Sequence, residues 1–129
     1  MNFDDNEIFL GVQIEKKGVP NEFDVMFIYE NKLYIIECKT FITSIEQTNG
    51  KIKEKRLIGE IIYKADALRN KFGLFANTTI LTVDEIKDQQ GKPLPGYEKH
   101  FERAEISRIN LISKRDLLNN RNFKNLLKL

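Results

Sequence analysis

Residues 21–40, NEFDVMFIYENKLYIIECKT, decide how this chain is to be read. Two aromatic and β-branched runs, 23–29 (FDVMFIY) and 33–39 (LYIIECK), are separated only by Glu30, Asn31 and Lys32. Such runs around a short polar break predict an antiparallel hairpin. Side chains alternate along a strand, so Leu33, Ile35, Glu37 and Lys39 share one face, and Tyr34, Ile36 and Cys38 the other. The second run is apolar on both faces, which predicts a central strand covered on both sides. Glu37 and Lys39 break that pattern at the end of the strand. Half-buried charges are costly unless paired or metal-bound, so this pair demands a chemical reason.

The first run supplies one. Asp24, Met26 and Ile28 share a face. With Asn31-Lys32 as a two-residue turn, Glu30 pairs with Leu33, Asp24 lies opposite Lys39, and Met26 lies opposite Glu37. Asp24 and Glu37 are then diagonal neighbours, about 7–8 Å apart. Two carboxylates at that span suit one hard cation such as Mg²⁺, which takes carboxylate oxygens and keeps several waters. Lys39 stands where it would help activate an attacking water or stabilise a pentavalent phosphate. The competing reading is a surface ion pair at a hairpin end, which is worth little.

Working outward, residues 8–15 (IFLGVQIE) alternate through Leu10, Val12 and Ile14, as in a half-buried strand. Residues 40–56 turn polar and lysine-rich around Gly50 and read as a loop, with room for a short helix. Residues 56–72 carry the clearest helical stripe, Ile58, Ile61, Ile62, Ala65, Leu68 and Phe72, with Gly73 as a C-cap. A strand at 78–83, a loop at 84–96, a helix at 97–106, a strand at 108–113 and a helix at 114–128 follow. The order β-β-β-α-β-α-β-α implies an α/β fold, a mixed central sheet flanked by helices.

Composition bounds the function. A chain of 129 residues supports one domain over 1–129, and 41% hydrophobic residues supply its core. No apolar run approaches the ~20 residues that span a bilayer. The acidic start MNFDDNEIF resembles no targeting peptide. Cys38 is the single cysteine, which excludes an internal disulfide and suggests a reducing, cytoplasmic setting. One His and one Cys exclude zinc-finger ligation. A net charge of +2 does not by itself advertise nucleic-acid binding.

Asp24, twelve intervening residues, then Glu37-Cys38-Lys39 resembles the D-x(n)-ExK core of the PD-(D/E)xK, or restriction-endonuclease-like, nucleases. Asn21-Glu22-Phe23-Asp24-Val25, Leu33 to Thr40, Tyr63-Lys64, Leu68-Arg69 and Arg103-Ala104 are similar to one branch. That branch is the C-terminal nuclease domain of CRISPR-associated effectors, which join a CARF sensor to a nuclease in type III systems. The resemblance covers roughly residues 8–118. It implies a metal-dependent endonuclease acting on DNA, RNA or both in antiviral defence. Asp24, Glu37 and the main-chain carbonyl of Cys38 would hold Mg²⁺ or Mn²⁺, and Lys39 would position or activate the water. A homodimer is implied, since paired sites cut paired strands. Two departures are expected: no sensor domain in this chain, and the family's first helix missing or truncated, because residues 1–7 are too few to form it. A restriction or repair endonuclease of the same fold, and a catalytically incomplete nucleic-acid-binding or dimerisation module, are the alternatives.

Other residues carry weaker signals. Glu22 shares the parity of Asp24 and is either a supporting metal ligand or a solvated strand-end charge. Lys64 and Arg103 are candidate phosphate contacts, set against a snorkelling lysine and an ordinary ion pair. Lys51, Lys53, Lys55 and Arg56 form a basic run that either holds a nucleic-acid backbone or is simply solvated. Cys38 is expected to place its thiol in the core, and His100 is expected to be exposed.

Overall fold

The computed structural model describes residues 8–16, 18–70, 76–119 and 122–129. Its first three strands, β1 (Ile8–Lys16), β2 (Val19–Tyr29) and β3 (Lys32–Lys39), form an antiparallel meander. The β2–β3 hairpin turns at Glu30-Asn31, one residue earlier than the sequence reading placed it. Both turn residues have positive φ, 49° and 60°, as two-residue turns matched to strand twist require. Asparagine tolerates that region. The resulting register pairs Tyr29 with Lys32 and Met26 with Ile35. It also stacks Phe27 on Tyr34, with ring centroids 5.0 Å apart and planes 7° from parallel. The ladder is displaced by an even step from the expected one, so every side chain keeps its expected face.

After β3 the chain makes a crossover. A two-stranded ribbon, β4 (Thr43–Thr48) and β5 (Lys51–Arg56), comes first, then α1 (Ile58–Arg69), then β6 (Ala76–Thr82), which runs parallel to β3. Helix α2 (Glu98–Ile106) leads into β7 (Ile109–Ile112), parallel to β6. The sheet order is β1-β2-β3-β6-β7, with β3 at the centre as its two apolar faces predict. This is the mixed, helix-flanked α/β sheet expected from the sequence.

The ribbon corrects the expected loop at 40–56. Asn49 and Gly50 carry φ of 52° and 74°, and Asn-Gly between two strands is the strongest short-range hairpin signal. The polar, lysine-rich strands concealed it, because they have no apolar alternation to bury.

Helix α1 buries Ile58, Ile62, Ala65 and Leu68 against one face of the sheet. It closes at Asn70, whose N–H donates to the Asp66 carbonyl at 3.1 Å. Phe72 and Gly73, expected to end it, lie outside the described residues. Arg69 bonds the Asp66 carboxylate at 2.8 Å and the Ser107 carbonyl, fastening α1 to the turn before β7. Gly59 faces α2, where a Cβ would make ordinary contact with the His100 ring at 3.5 Å. His100 is therefore half-buried between α1 and Tyr97 rather than exposed.

The opposite face carries Phe27, Tyr34, Ile36, Ile112 and Leu127. The single helix expected at 114–128 is two, α3 (Lys114–Asn119) and α4 (Phe123–Leu126). Asn122 explains the second start: its Oδ1 accepts from the Lys124 N–H at 3.1 Å, a capping geometry that competes with helix continuation. On β1, Val12 and Ile14 pack on the Phe23 cluster, while Leu10, expected in the same stripe, is 74% exposed. Gly11, with φ of 59°, interrupts the strand between them.

Candidate active site

The last residues of β3 face one wall of α1, and Asp24, midway along β2, lies beside them. Val25 pairs with Ile36, and just beyond this pair Asp24 uses its side chain instead: its Oδ2 accepts the Cys38 N–H at 2.7 Å. This bond swings the Asp24 carboxylate across the end of β3, beside Glu37. Lys39 Nζ lies 3.6 Å from Glu37 Oε2. Glu37, Lys39, Glu60, Ile61, Lys64, Ala65 and Leu68 line an open cleft of about 240 Å³. Its floor is charged and its α1 wall is mostly apolar.

The end of β3 is stitched in place. Lys39 pairs with Thr82 across the parallel ladder. The Asp84 N–H donates to Thr82 Oγ1 at 3.2 Å, and Asp84 Oδ2 accepts the Ile42 N–H at 2.7 Å. The backbone on both sides of the Glu-x-Lys residues is thus held by the neighbouring strand and the loop that follows it.

Electrostatics single out Glu37. Its side chain is only 13% exposed. Burial, then the Asp24 charge, push its carboxyl above the ordinary 4.5, while Lys39 and Lys64 pull it back only in part. Two carboxylates that repel each other in a half-buried site gain most from a cation between them. The donor set fits Mg²⁺ or Mn²⁺: such ions use one or two carboxylates and fill their remaining positions with water and substrate phosphate. It does not fit an all-protein metal cage. Among the described residues no group of three or more His, Cys, Asp or Glu gathers round one point.

The remaining sequence candidates sort themselves by position. Lys64 is exposed and lines the cleft, as its phosphate-contact reading requires. Glu22 is exposed on β2 opposite Gln13, and Arg103 is exposed on α2; neither lines the cleft. Cys38 has the expected parity, but its thiol is exposed rather than in the core. Cys38 lies in a shallow cleft with Leu81, Val83 and the α3 residue Leu117. Partial burial and then the Asp24 and Glu37 charges raise its thiol above the ordinary 9.0, which keeps it a poor nucleophile. Sequence reading missed Glu60. Its one signal is the Glu60–Lys64 spacing of one helical turn, which puts both on the same side of α1.

A central strand ending in Glu-x-Lys, with an aspartate delivered beside it by the preceding antiparallel strand, defines a restriction-endonuclease-like nuclease domain. The model of the Card1-like endonuclease domain matches residues 2–122, and the chain belongs to that family. It is similar to Can2 from Sulfobacillus thermosulfidooxidans, solved in complex with cyclic tetra-adenylate: 25% identity, TM-score 0.62, covering 95% of this chain and 30% of that one. It is also similar to protein VC1899 from Vibrio cholerae: 28% identity, TM-score 0.56, covering 94% of this chain and 26% of that one. The chain thus spans under a third of either structure. No curated protein matches it. The CRISPR-linked nuclease resemblance carried by residues 21–25, 33–40, 63–64, 68–69 and 103–104 holds at the level of family and fold. No helix of the described residues is long and apolar enough to cross a membrane.

Proposed function

We propose that this domain is a metal-dependent phosphodiesterase that cuts DNA, RNA or both within a CRISPR-linked antiviral response. The observation that supports this most is the half-buried Glu37 carboxyl, held beside Asp24 and 3.6 Å from Lys39 at the floor of the α1 cleft. Asp24, Glu37 and the Cys38 carbonyl would hold Mg²⁺ or Mn²⁺. Such an ion, when bound, polarises a phosphate and lowers the pKa of its water. Lys39 keeps a positive charge at the cleft floor, where it orients the attacking water and offsets charge developing on the phosphate. Lys64 presents a second cation from the opposite wall. The apolar Ile61, Ala65 and Leu68 limit bulk water and so strengthen these interactions.

The test is cleavage of single-stranded and duplex DNA and RNA with Mn²⁺, comparing the wild type with Glu37→Ala. Metal-dependent cutting that the variant loses is the expected result. Equal cutting by both, or none by the wild type, would remove the reading. That no third His, Cys, Asp or Glu joins Asp24 and Glu37 in one metal-holding group, among the described residues, favours one rival: a nuclease-derived binding or dimerisation module. Calorimetric titration with Mn²⁺ separates the two, since that module would bind no ion at Asp24 and Glu37.

A further inference from the structure

Among the described residues, the Thr78 hydroxyl is buried and meets no hydrogen-bond partner. Thr78 is only 3% exposed. A buried hydroxyl without a partner is costly, so this one needs a physical account. In the parallel ladder of β3 and β6, Thr78 pairs with Ile35, and Ile80 with Glu37. Paired residues share a face, so Thr78 lies on the α1 side, one strand across and two residues back from Glu37. A strand spacing of about 4.8 Å and a rise of about 3.3 Å per residue put the two Cα atoms about 8 Å apart. Two short-reaching polar groups at that span suit one molecule of water between them.

The space for it exists. Thr78, Glu37 and Arg69 line a small cavity of about 10 Å³, together with apolar side chains that include Phe23 and Ile35. A water needs about 10–15 Å³ and two to four polar partners, so the cavity takes one and no more. Glu37 borders both this cavity and the open cleft. Arg69 is held by the Asp66 carboxylate and the Ser107 carbonyl, which fixes its wall of the cavity. The Thr78 hydroxyl has a proton to give. The Glu37 carboxylate, with Lys39 3.6 Å away, has lone pairs to receive one.

We infer that Thr78 is a positioning residue for Glu37: one water in this cavity accepts a hydrogen bond from the Thr78 hydroxyl and donates one to a Glu37 carboxylate oxygen. The bridge holds the carboxylate from behind and so sets the angle at which it meets the cleft. Water-bridged contacts hold nearly as well as direct ones. Groups that orient a metal-binding side chain typically cost about 10–100-fold in metal affinity or activity when lost. The consequence for metal and cleavage rests on the nuclease reading; the bridge between Thr78 and Glu37 does not.

The test compares three variants of the full chain. Thr78→Val keeps the shape and removes the hydroxyl, Thr78→Ser keeps the hydroxyl, and Thr79→Val removes a buried hydroxyl from the opposite face of the same strand. In calorimetric titration with Mn²⁺, Thr78→Val should bind about tenfold or more weakly, and the other two within about twofold of the wild type. In cleavage, Thr78→Val should lose kcat with the KM for the polynucleotide unchanged, and Thr78→Ser should restore it. Denaturant unfolding without metal reads the bridge itself. Thr78→Val should lower the midpoint of the wild type, but raise it once Glu37→Met has removed the acceptor, since an orphaned hydroxyl is better absent. The same shift in both backgrounds would overturn the inference. So would a wild type that binds Mn²⁺ no better than Thr78→Val, or an equal loss of affinity in Thr79→Val. If Thr78 and Glu37 couple without metal while Glu37→Ala still cuts, the nuclease reading fails and the bridge stands. If Glu37→Ala abolishes cutting and the two residues do not couple, the reverse holds.

Discussion

Two half-buried carboxylates sit beside lysines in this domain, and their surroundings pull them in opposite directions. Asp116 is fully served. Its Oδ2 accepts the Ser113 N–H at 2.8 Å, the Ser113 hydroxyl at 2.9 Å and Lys87 Nζ at 2.9 Å. Burial alone would raise its pKa, but these donors outweigh that and hold it below the ordinary 3.8. Glu37 has one lysine at 3.6 Å and a repelling aspartate beside it, and its pKa rises. The first arrangement caps α3 and ties it to the loop after β6. The second leaves a charge only partly met by the chain's own groups. Charges that stabilise the fold come with a full set of donors, whereas those kept for chemistry wait for a partner from outside.

The sharpest way to break this contrast is Glu37→Gln. If Glu37 serves chemistry, cleavage falls by at least about 10²–10³-fold, read as initial rates with Mn²⁺, with the fold intact. Asp116→Ala should do the opposite: cost about 2–3 kcal/mol in denaturant unfolding at pH 7, from the lost cap and charged hydrogen bonds, with the site chemistry unchanged. Its deficit should also depend on pH. A lowered pKa stabilises above 3.8 and loses that benefit as pH falls through the folded value, so the variant gap closes in acid.

Glu37 carries the reverse sign. Its raised pKa means the fold disfavours the ionised form, so stability is fullest below 4.5 and is lost as pH rises through the folded value. Metal-free Glu37→Gln should therefore melt above the wild type at pH 7, with the gap closing in acid. Mn²⁺ should raise the wild-type melting temperature and leave the variant's unmoved. A wild type that melts higher without metal would erase the contrast. The smallest effect belongs to Lys64→Ala. It should leave stability within about 0.5 kcal/mol, as at most exposed sites, while slowing cleavage several-fold through the lost cation on the cleft wall.

The candidate site was legible because β-strand parity is rigid. Asp24, Glu37 and Lys39 fall on one face whichever two-residue turn closes the hairpin, since moving the turn by one residue shifts the ladder by two. What parity could not tell was the partner. The turn at Glu30-Asn31 brings Asp24 beside Glu37 and onto the Cys38 N–H, rather than opposite Lys39. The α1 stripe was equally legible, because its apolar residues recur at the helical period. The ribbon was not, since charged strands carry no burial pattern; only Asn49-Gly50 marked it. Cys38 misled for a different reason: its neighbours Ile36 and Tyr34 are buried, and nothing local says that the cover over the end of the strand is shallow. Asn122 likewise resolves one long polar helix into two only through a side-chain bond.

The tight turn at Glu30-Asn31 also bears on the order in which the molecule assembles. It joins β2 to β3 with almost no loop to close, whereas β3 meets β6 only after the ribbon and α1 are gathered in. Closure entropy grows with loop length, and local contacts form first. Pulse-labelled hydrogen exchange should accordingly protect Tyr34–Ile36 before Thr79–Leu81. Asp24 and Glu37 thus come together in a local hairpin, a structure that forms in about 1–10 μs, before the α1 wall of the cleft is in place. Their repulsion then opposes the closing of that hairpin.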